Sequence, residues 1–174
     1  EAPPFGRALA GRILVPFCLE SALSGVGQRH ERAWYRRTFR VPDGWRSGAS
    51  ERVLLHLGAV DWQAQVYING RHMIGHAGGY DPFTVDITAS LQMGELVVRV
   101  TDPTDAGTQP RGKQVGKPGG IWYTPVTGIW QTVWIERVPS LWIEGLKVEP
   151  SLKAGTVDVS IDLNGVHSGS STMV

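Results

Sequence analysis

A stretch of alternating residues that ends in an Asn-Gly pair constrains the fold of this chain more than any other feature. Between residues 62 and 68, apolar and polar side chains alternate with a period of two, which is typical of a strand with one buried face. Asn69-Gly70 follows directly, and both central positions of a type I′ turn require the positive φ that these residues tolerate. The pattern predicts a β-hairpin in which residues 71–74 return beside the preceding strand.

Strand-like runs recur along the whole chain, and no stretch has the sustained spacing of three and four residues that indicates an amphipathic helix. The 22 glycines and 11 prolines make up about a fifth of the 174 residues, which favours many short strands joined by turns. The chain is therefore predicted to be all-β, an antiparallel β-sandwich. The predicted strands are residues 33–41, 52–57, 62–68, 84–87, 95–101 and 129–138, the last with Trp130 and Trp134 on one face.

Charge and cysteine content argue against several classes of function. The net charge is +1, from 17 basic and 16 acidic residues, whereas binders of nucleic acids or anionic membranes usually carry a larger basic excess. The single cysteine, Cys18, cannot form an internal disulfide, and its apolar neighbours predict an inert, buried thiol. His72 and His76 would share a face of a helix, but the predicted strand does not offer that zinc-binding geometry. We expect no nucleic-acid or membrane partner, no metal and no cofactor, and the composition is compatible with a cytoplasmic, periplasmic or secreted location.

A long connection rich in glycine and proline is the strongest candidate for a functional segment. Residues 101–120 have no strand pattern, and a connection of ~20 residues is longer than compact domains usually carry without a function. Trp122-Tyr123 comes directly after it. Exposed rings there could stack on the apolar face of a sugar, with Arg111 and Lys113 binding its hydroxyls. Packing of both rings in the core is equally compatible with the sequence.

Paired carboxylates could hydrolyse a glycosidic bond if they were held about 5–10 Å apart across a sugar. The sequence singles out no such pair, because loop carboxylates also serve as surface groups or as acceptors for backbone N–H groups. The candidates are Glu20, Asp61, Asp81, Asp102 and Asp105.

The composition changes near residues 138–140, which predicts a domain boundary. Two strand-like segments follow, at 141–150 and 156–163, and then an Asn164-Gly165 turn. Because two strands cannot bury a core alone, residues 139–174 are predicted to be a linker and the first strands of a second, truncated domain. Their apolar side chains would lack partners, so this part is expected to be poorly ordered or prone to aggregation.

Five motifs occur in one order along the chain, and together they resemble a known family. They are residues 14–25 (LVPFCLESALSG), residues 34–39 (WYRRTF), residues 58–70 (GAVDW and VYING), residues 75–88 (GHAGGYDPF and DIT) and residues 120–131 (GIWYTPVTGIWQ). Their order and spacing resemble the N-terminal sugar-binding domain of glycoside hydrolase family 2, which includes β-galactosidases, β-glucuronidases and β-mannosidases. The resemblance covers roughly Ile13 to Val138.

This resemblance implies a jelly-roll sandwich, similar to galactose-binding domains, over residues 1–138, with its first strand preceding residue 1. An immunoglobulin-like sandwich would follow, and then a (β/α)₈ barrel that carries the catalytic glutamates outside this chain. In the family the jelly roll packs on the barrel and lends loops to the rim of the sugar site. Some members have an Asp at the position of Trp122, so stacking or exclusion would replace hydrogen bonding there. The segment at Glu20-Ser21 is the other one that could reach the site.

Three functions are compatible with these observations. The first is the non-catalytic N-terminal part of a retaining β-glycosidase, inactive alone, whose partners are the barrel of the same chain and a terminal β-linked sugar. The second is a stand-alone carbohydrate-binding module, and the third is a structural interdomain module in which Trp122 and Tyr123 are buried. The residues expected to contact a sugar are Trp122, Tyr123, Glu20, Ser21, Asp81, Arg111 and Lys113.

Overall fold

The structure is a computed structural model that describes residues 2–45, 51–90 and 94–164. Strands account for most of its regular structure, with two 3₁₀ helices of one turn at Ala22–Ser24 and Thr88–Ser90. The strands are β1 (Arg32–Phe39), β2 (Glu51–Leu57), β3 (Val60–Asp61), β4 (Gln63–Ile68), β5 (Arg71–Ala77), β6 (Phe83–Asp86), β7 (Gly94–Thr101), β8 (Gly128–Ile129), β9 (Val133–Pro139), β10 (Trp142–Ser151) and β11 (Thr156–Asn164). Within the described ranges, no helix is long and apolar enough to cross a membrane.

Two antiparallel sheets enclose the core, which confirms the predicted β-sandwich. One sheet has the strand order β1-β7-β4-β5, and the other has the order β6-β2-β9. The inner faces supply alternate residues of each strand, as period-two burial requires. In β4, for example, Ala64, Val66 and Ile68 are fully buried, while Gln63 is exposed.

The predicted hairpin is confirmed at Asn69-Gly70. Asn69 has φ 50° and Gly70 has φ 79°, so both central residues of the turn are left-handed. β4 and β5 pair directly across the turn, with Ile68 opposite Arg71. The register of β4 follows from this turn, and it decides which side chains of β4 face the core and which face solvent.

The predicted strand 129–138 is two strands. β8 pairs with β3, whereas β9 pairs with β2. Between them the backbone turns aside, because Trp130 N–H donates to the Ala59 carbonyl and the Thr132 carbonyl accepts from Gly58 N–H. Trp134 lies on the outer face of β9, as alternation predicts, and it stacks on His56 with ring centroids 4.7 Å apart.

The last two strands form a separate hairpin. Over the described residues, β10 and β11 pair only with each other. Several of their apolar side chains are more than half exposed, among them Ile143, Leu146 and Val148. This exposure agrees with the prediction that the apolar side chains of this segment lack partners, whereas the predicted Asn164-Gly165 turn extends outside the described residues.

Candidate functional site

The long connection between β7 and β8 carries the predicted aromatic pair on its surface. It folds back on itself, because Tyr123 N–H donates to the Lys113 carbonyl at 2.8 Å and Val115 N–H donates to the Tyr123 carbonyl at 3.1 Å. The turn between these segments presents Trp122, which is 44% exposed, and Tyr123, which is 63% exposed. Both rings therefore face solvent in this chain and do not pack in the core.

The side chain of Gln114 fixes this connection to the sandwich. Its Oε1 atom accepts a hydrogen bond from Val126 N–H at 2.6 Å, and its Nε2 atom donates to Asp61 Oδ2 at 3.2 Å. The same Nε2 atom lies 3.4 Å from the hydroxyl of Tyr80, in the loop after β5. One carboxamide thus joins the connection, the end of β3 and the loop after β5.

A buried polar cluster lies beneath this contact. Thr127 Oγ1 donates to Asp102 Oδ2 at 2.9 Å, and Thr127 N–H donates to Glu20 Oε2 at 2.9 Å. Asp61 is only 4% exposed, and burial raises the pKa of Asp61 from 3.8 to about 6, against the opposing effect of the Gln114 hydrogen bond. The negative charges of Asp102 and Glu20 raise the pKa of Asp61 further. Three of the five candidate carboxylates therefore meet in one cluster, where two of them accept bonds from Thr127 at the end of the connection.

The other two candidate carboxylates lie at the surface. Asp105 Oδ2 accepts from Gly116 N–H at 3.0 Å, and this bond lowers the pKa of Asp105. Asp81 is exposed in the loop after β5, where its Oδ2 atom would lie 3.3 Å from a Cβ built on Gly78. Asp81 thus stands one residue after Tyr80, which contacts Gln114.

The remaining predicted site residues support the backbone or flank the rings. Ser21 Oγ accepts from Leu23 N–H at the start of the first 3₁₀ helix. Arg111 donates to the Asp105 carbonyl at 3.2 Å. The ammonium of Lys113 lies 5.9 Å from the centre of the Tyr123 ring, a cation–π distance. Lys113 and Tyr123 thus lie side by side at the surface, whereas Glu20, from the segment before β1, accepts from Thr127 N–H at the end of the connection.

Sequence reasoning missed a groove beside this region. It is an open depression of ≈ 490 Å³ between the loop after β5 and β9, and Tyr80, Trp130 and Trp134 are its aromatic lining. Trp130 is held in place by a hydrogen bond from its Nε1 atom to the Gly79 carbonyl at 2.7 Å. The sequence signal for this groove is the motif Gly78-Gly79-Tyr80. Because Gly79 has no side chain, its backbone can lie close to the indole of Trp130.

The sequence also offers one thiol, Cys18, and two histidines four residues apart, His72 and His76. Cys18 is half-buried and not buried as predicted, and this partial burial raises the pKa of its thiol, which disfavours the reactive thiolate. His72 lies 2.7 Å from Gln65 Oε1, and His76 lies 3.2 Å from the Gly78 carbonyl. Among the described residues, no group of three or more His, Cys, Asp or Glu side chains is arranged to hold a metal ion.

Residues 9–108 match the model of the glycosyl hydrolases family 2 sugar binding domain. The chain belongs to this family. The match covers more than half of the sequence and includes four of the five motifs, from the loop before β1 to the Gly-Gly-Tyr loop after β5.

Relatives of known name extend the family relationship to most of the chain. The chain is 27% identical to human β-glucuronidase over 154 residues, which are 76% of this chain and 24% of that enzyme. It is 28% identical to a β-galactosidase of Thermoanaerobacter pseudethanolicus over 134 residues, which are 74% of this chain and 17% of that enzyme. The chain thus spans about a quarter or less of the length of these relatives.

Solved structures give the same relationship. A Bacteroides uniformis β-glucuronidase superposes with a TM-score of 0.60 at 27% identity, over 76% of this chain and 16% of that one. A Parabacteroides merdae β-glucuronidase has a TM-score of 0.68 over 87% of this chain and 21% of that one, and at 20% identity it speaks for the fold alone. The sandwich is therefore the sandwich of a family 2 sugar-binding domain.

Proposed function

We propose that this chain is the non-catalytic N-terminal part of a retaining family 2 β-glycosidase, in which it supports the catalytic barrel and helps to frame the sugar site. The observation that carries the proposal is the exposure of Trp122 and Tyr123 on a connection that Gln114 and Thr127 anchor to the sandwich. A rigid support for exposed aromatic rings suits a surface that meets a sugar or another domain.

We propose that the catalytic residues lie in another part of the polypeptide. Retaining glycosidases use two carboxyl groups on either side of the scissile bond. Glu20 and Asp102 are occupied with Thr127, and Asp61 is buried beneath Gln114, so these groups support a loop. We propose residues 1–138 as the sugar-binding domain and residues 139–174 as a linker with the first strands of an immunoglobulin-like domain.

The proposed substrate is a terminal β-linked sugar. β-Glucuronidases and a β-galactosidase are among the relatives, which supports this class and does not select one sugar. Some members of the family have an Asp at the position where this chain has Trp122. We propose that the indole stacks on a sugar ring, with Lys113 and Asp81 at the sides of that contact.

The test of the first proposal is an assay of the purified chain with nitrophenyl β-glucuronide and β-galactoside. No turnover is expected, because Glu20, Asp61 and Asp102 are hydrogen-bonded within the sandwich and the proposed catalytic groups lie in another part of the polypeptide. Turnover that co-purifies with the chain and disappears in Glu20→Gln would refute the proposed lack of catalysis.

A second candidate function, a stand-alone carbohydrate-binding module, is favoured by the same exposed rings. Calorimetric titration with neutral oligosaccharides separates the two. Binding at millimolar or lower concentration that is lost in Trp122→Ala and kept in Trp134→Ala supports a module that acts alone. Trp134 is the matched control, because it is as exposed as Trp122 (43% against 44%) but lies on β9 and not on the connection.

A further inference from the structure

The outer face of the four-stranded sheet holds a groove that the proposed function does not use. It has a volume of ≈ 330 Å³ and is lined by Arg32, Gln63, Gln65, Tyr67, Arg99 and Thr101. These residues come from β1, β4 and β7, which are neighbours in the sheet. The groove is therefore built on the rigid part of the sandwich and not on its loops.

The strand register brings the two arginines together. Arg32 lies opposite Thr101, and Trp34 lies opposite Arg99. Arg99 is thus the diagonal neighbour of Arg32, at a separation of about 7–8 Å in such ladders. Both side chains are exposed, and neither has a carboxylate partner within the part of the chain that the structure describes. None of the six lining residues is acidic.

The arrangement around Arg99 leaves its hydrogen-bond donors available. Its guanidinium lies 5.8 Å from the centre of the Trp34 ring. A guanidinium over an aromatic ring still has its N–H groups in its own plane, where they can bind a carboxylate with two parallel hydrogen bonds. By contrast, Arg36, farther along β1, is already paired with Glu95. Arg32 and Arg99 therefore bring to the groove two positive charges that no described carboxylate pairs with.

The floor of the groove is aromatic and polar. The Tyr67 ring is held edge-on by Phe5 at 5.6 Å and by His72 at 5.2 Å. Gln63, Gln65 and Thr101 add amide and hydroxyl groups at the rim. An aromatic ring bordered by amides and a hydroxyl suits a ring-shaped polyol, whereas a bare phosphate would need only the arginines.

We propose that this groove binds a carboxylate-bearing saccharide, with the carboxylate between Arg32 and Arg99 and the sugar ring over Tyr67. The cross-strand pair of arginines supplies the charge complementarity, and the aromatic floor selects a saccharide over a simple anion. Binding here is independent of the proposed role of Trp122, since all the lining residues belong to β1, β4 and β7 and none lies between β7 and β8.

The test is calorimetric titration of the chain with tri-galacturonate, with its fully methyl-esterified form as the matched neutral ligand. We expect the acid to bind and the ester to bind at least tenfold more weakly, because esterification removes the charge and keeps the sugar. Raising the salt concentration should weaken binding of the acid. Arg99→Gln should lower the affinity at least tenfold, whereas Arg71→Gln, an exposed arginine at the start of β5, should leave it unchanged.

Two further arms separate the alternatives. Tyr67→Leu should weaken tri-galacturonate and leave the weak binding of inorganic phosphate unchanged, with thermal unfolding measured to verify that the variant folds. Equal affinities for acid and ester, or loss of affinity in Arg71→Gln as well, would overturn the proposal. Phosphate binding as tight as tri-galacturonate, or binding only of an oligo-glutamate peptide, would also overturn it, because the ligand would then be a simple anion or an acidic protein.

Discussion

Replacing Asp61 with Asn should remove one pH-dependent contribution to the free energy of unfolding, between about pH 4 and pH 6. Burial raises the pKa of this carboxyl from 3.8 to about 6, so the folded chain binds its proton more tightly than the unfolded chain does. The contribution of Asp61 to stability is therefore fully present below about pH 4, is lost as the pH rises through about 6 and is absent above that. The two pKa values differ by about two units, which corresponds to about 3 kcal/mol at about 1.4 kcal/mol per unit.

The measurement compares wild type with Asp61→Asn. Asn cannot ionise, so the effect of its amide on the free energy of unfolding does not depend on pH. The difference in the free energy of unfolding between variant and wild type should therefore shift by about 3 kcal/mol in favour of the variant between pH 4 and pH 8. Urea unfolding followed by tryptophan fluorescence at five or six pH values gives this difference directly.

A control separates burial from simple loss of charge. Asp43→Asn removes one negative charge from an exposed turn and leaves the Asp61 cluster intact. If the difference in unfolding free energy between Asp61→Asn and wild type varies by less than about 0.5 kcal/mol across the range, burial does not raise the pKa of Asp61 and the reasoning is wrong.

Three further predictions address the connection and the hairpin. Gly79→Ala should lower the free energy of unfolding, measured in urea, by about 1–3 kcal/mol, because the added Cβ would lie 2.5 Å from Asp61 Oδ1. Gly119→Ala is the control and should change this free energy little, because its Cβ would meet no atom within 4 Å. Equal effects of the two substitutions would contradict the contact with Asp61. Trp122→Ala should change the unfolding free energy by less than about 0.5 kcal/mol, because its ring is exposed. Trp130→Ala should lower it by about 2–4 kcal/mol in the same measurement. A large loss of stability in Trp122→Ala would mean that its ring packs in the core. Amides of residues 156–163 should exchange hydrogen much faster than those of the core strands, because a lone hairpin is marginally stable; strong protection in a monomer would disprove this.

The sequence predicts this molecule well wherever a few adjacent residues decide the geometry. The Asn69-Gly70 hairpin is such a case, because the turn alone sets the pairing of β4 with β5. The break at Trp130 is the opposite case. Strand propensity is continuous there, and the interruption comes from backbone bonds to Ala59 and Gly58, which are distant in sequence. Propensity cannot report such contacts.

The candidate site divides in the same way. The glycine-rich connection and its aromatic pair were predictable from composition and motif. The role of Asp61 was not, since its partner Gln114 is 53 residues away and no local pattern joins them. The groove at Arg32 and Arg99 was equally hidden, because three strands from separate parts of the chain meet to form it.

The contacts of Gln114 make its carboxamide irreplaceable by a group of the same shape. Its oxygen must accept from Val126 N–H while its nitrogen donates to Asp61, so the group has to offer both polarities at once. Glutamate is isosteric but, when ionised, only accepts, and it would set a second negative charge against Asp61. Deamidation of Gln114, which replaces its NH₂ group with oxygen as the protein ages, would thus remove the hydrogen bond to Asp61. It would leave two carboxylates that repel each other where the connection is now attached to the sandwich.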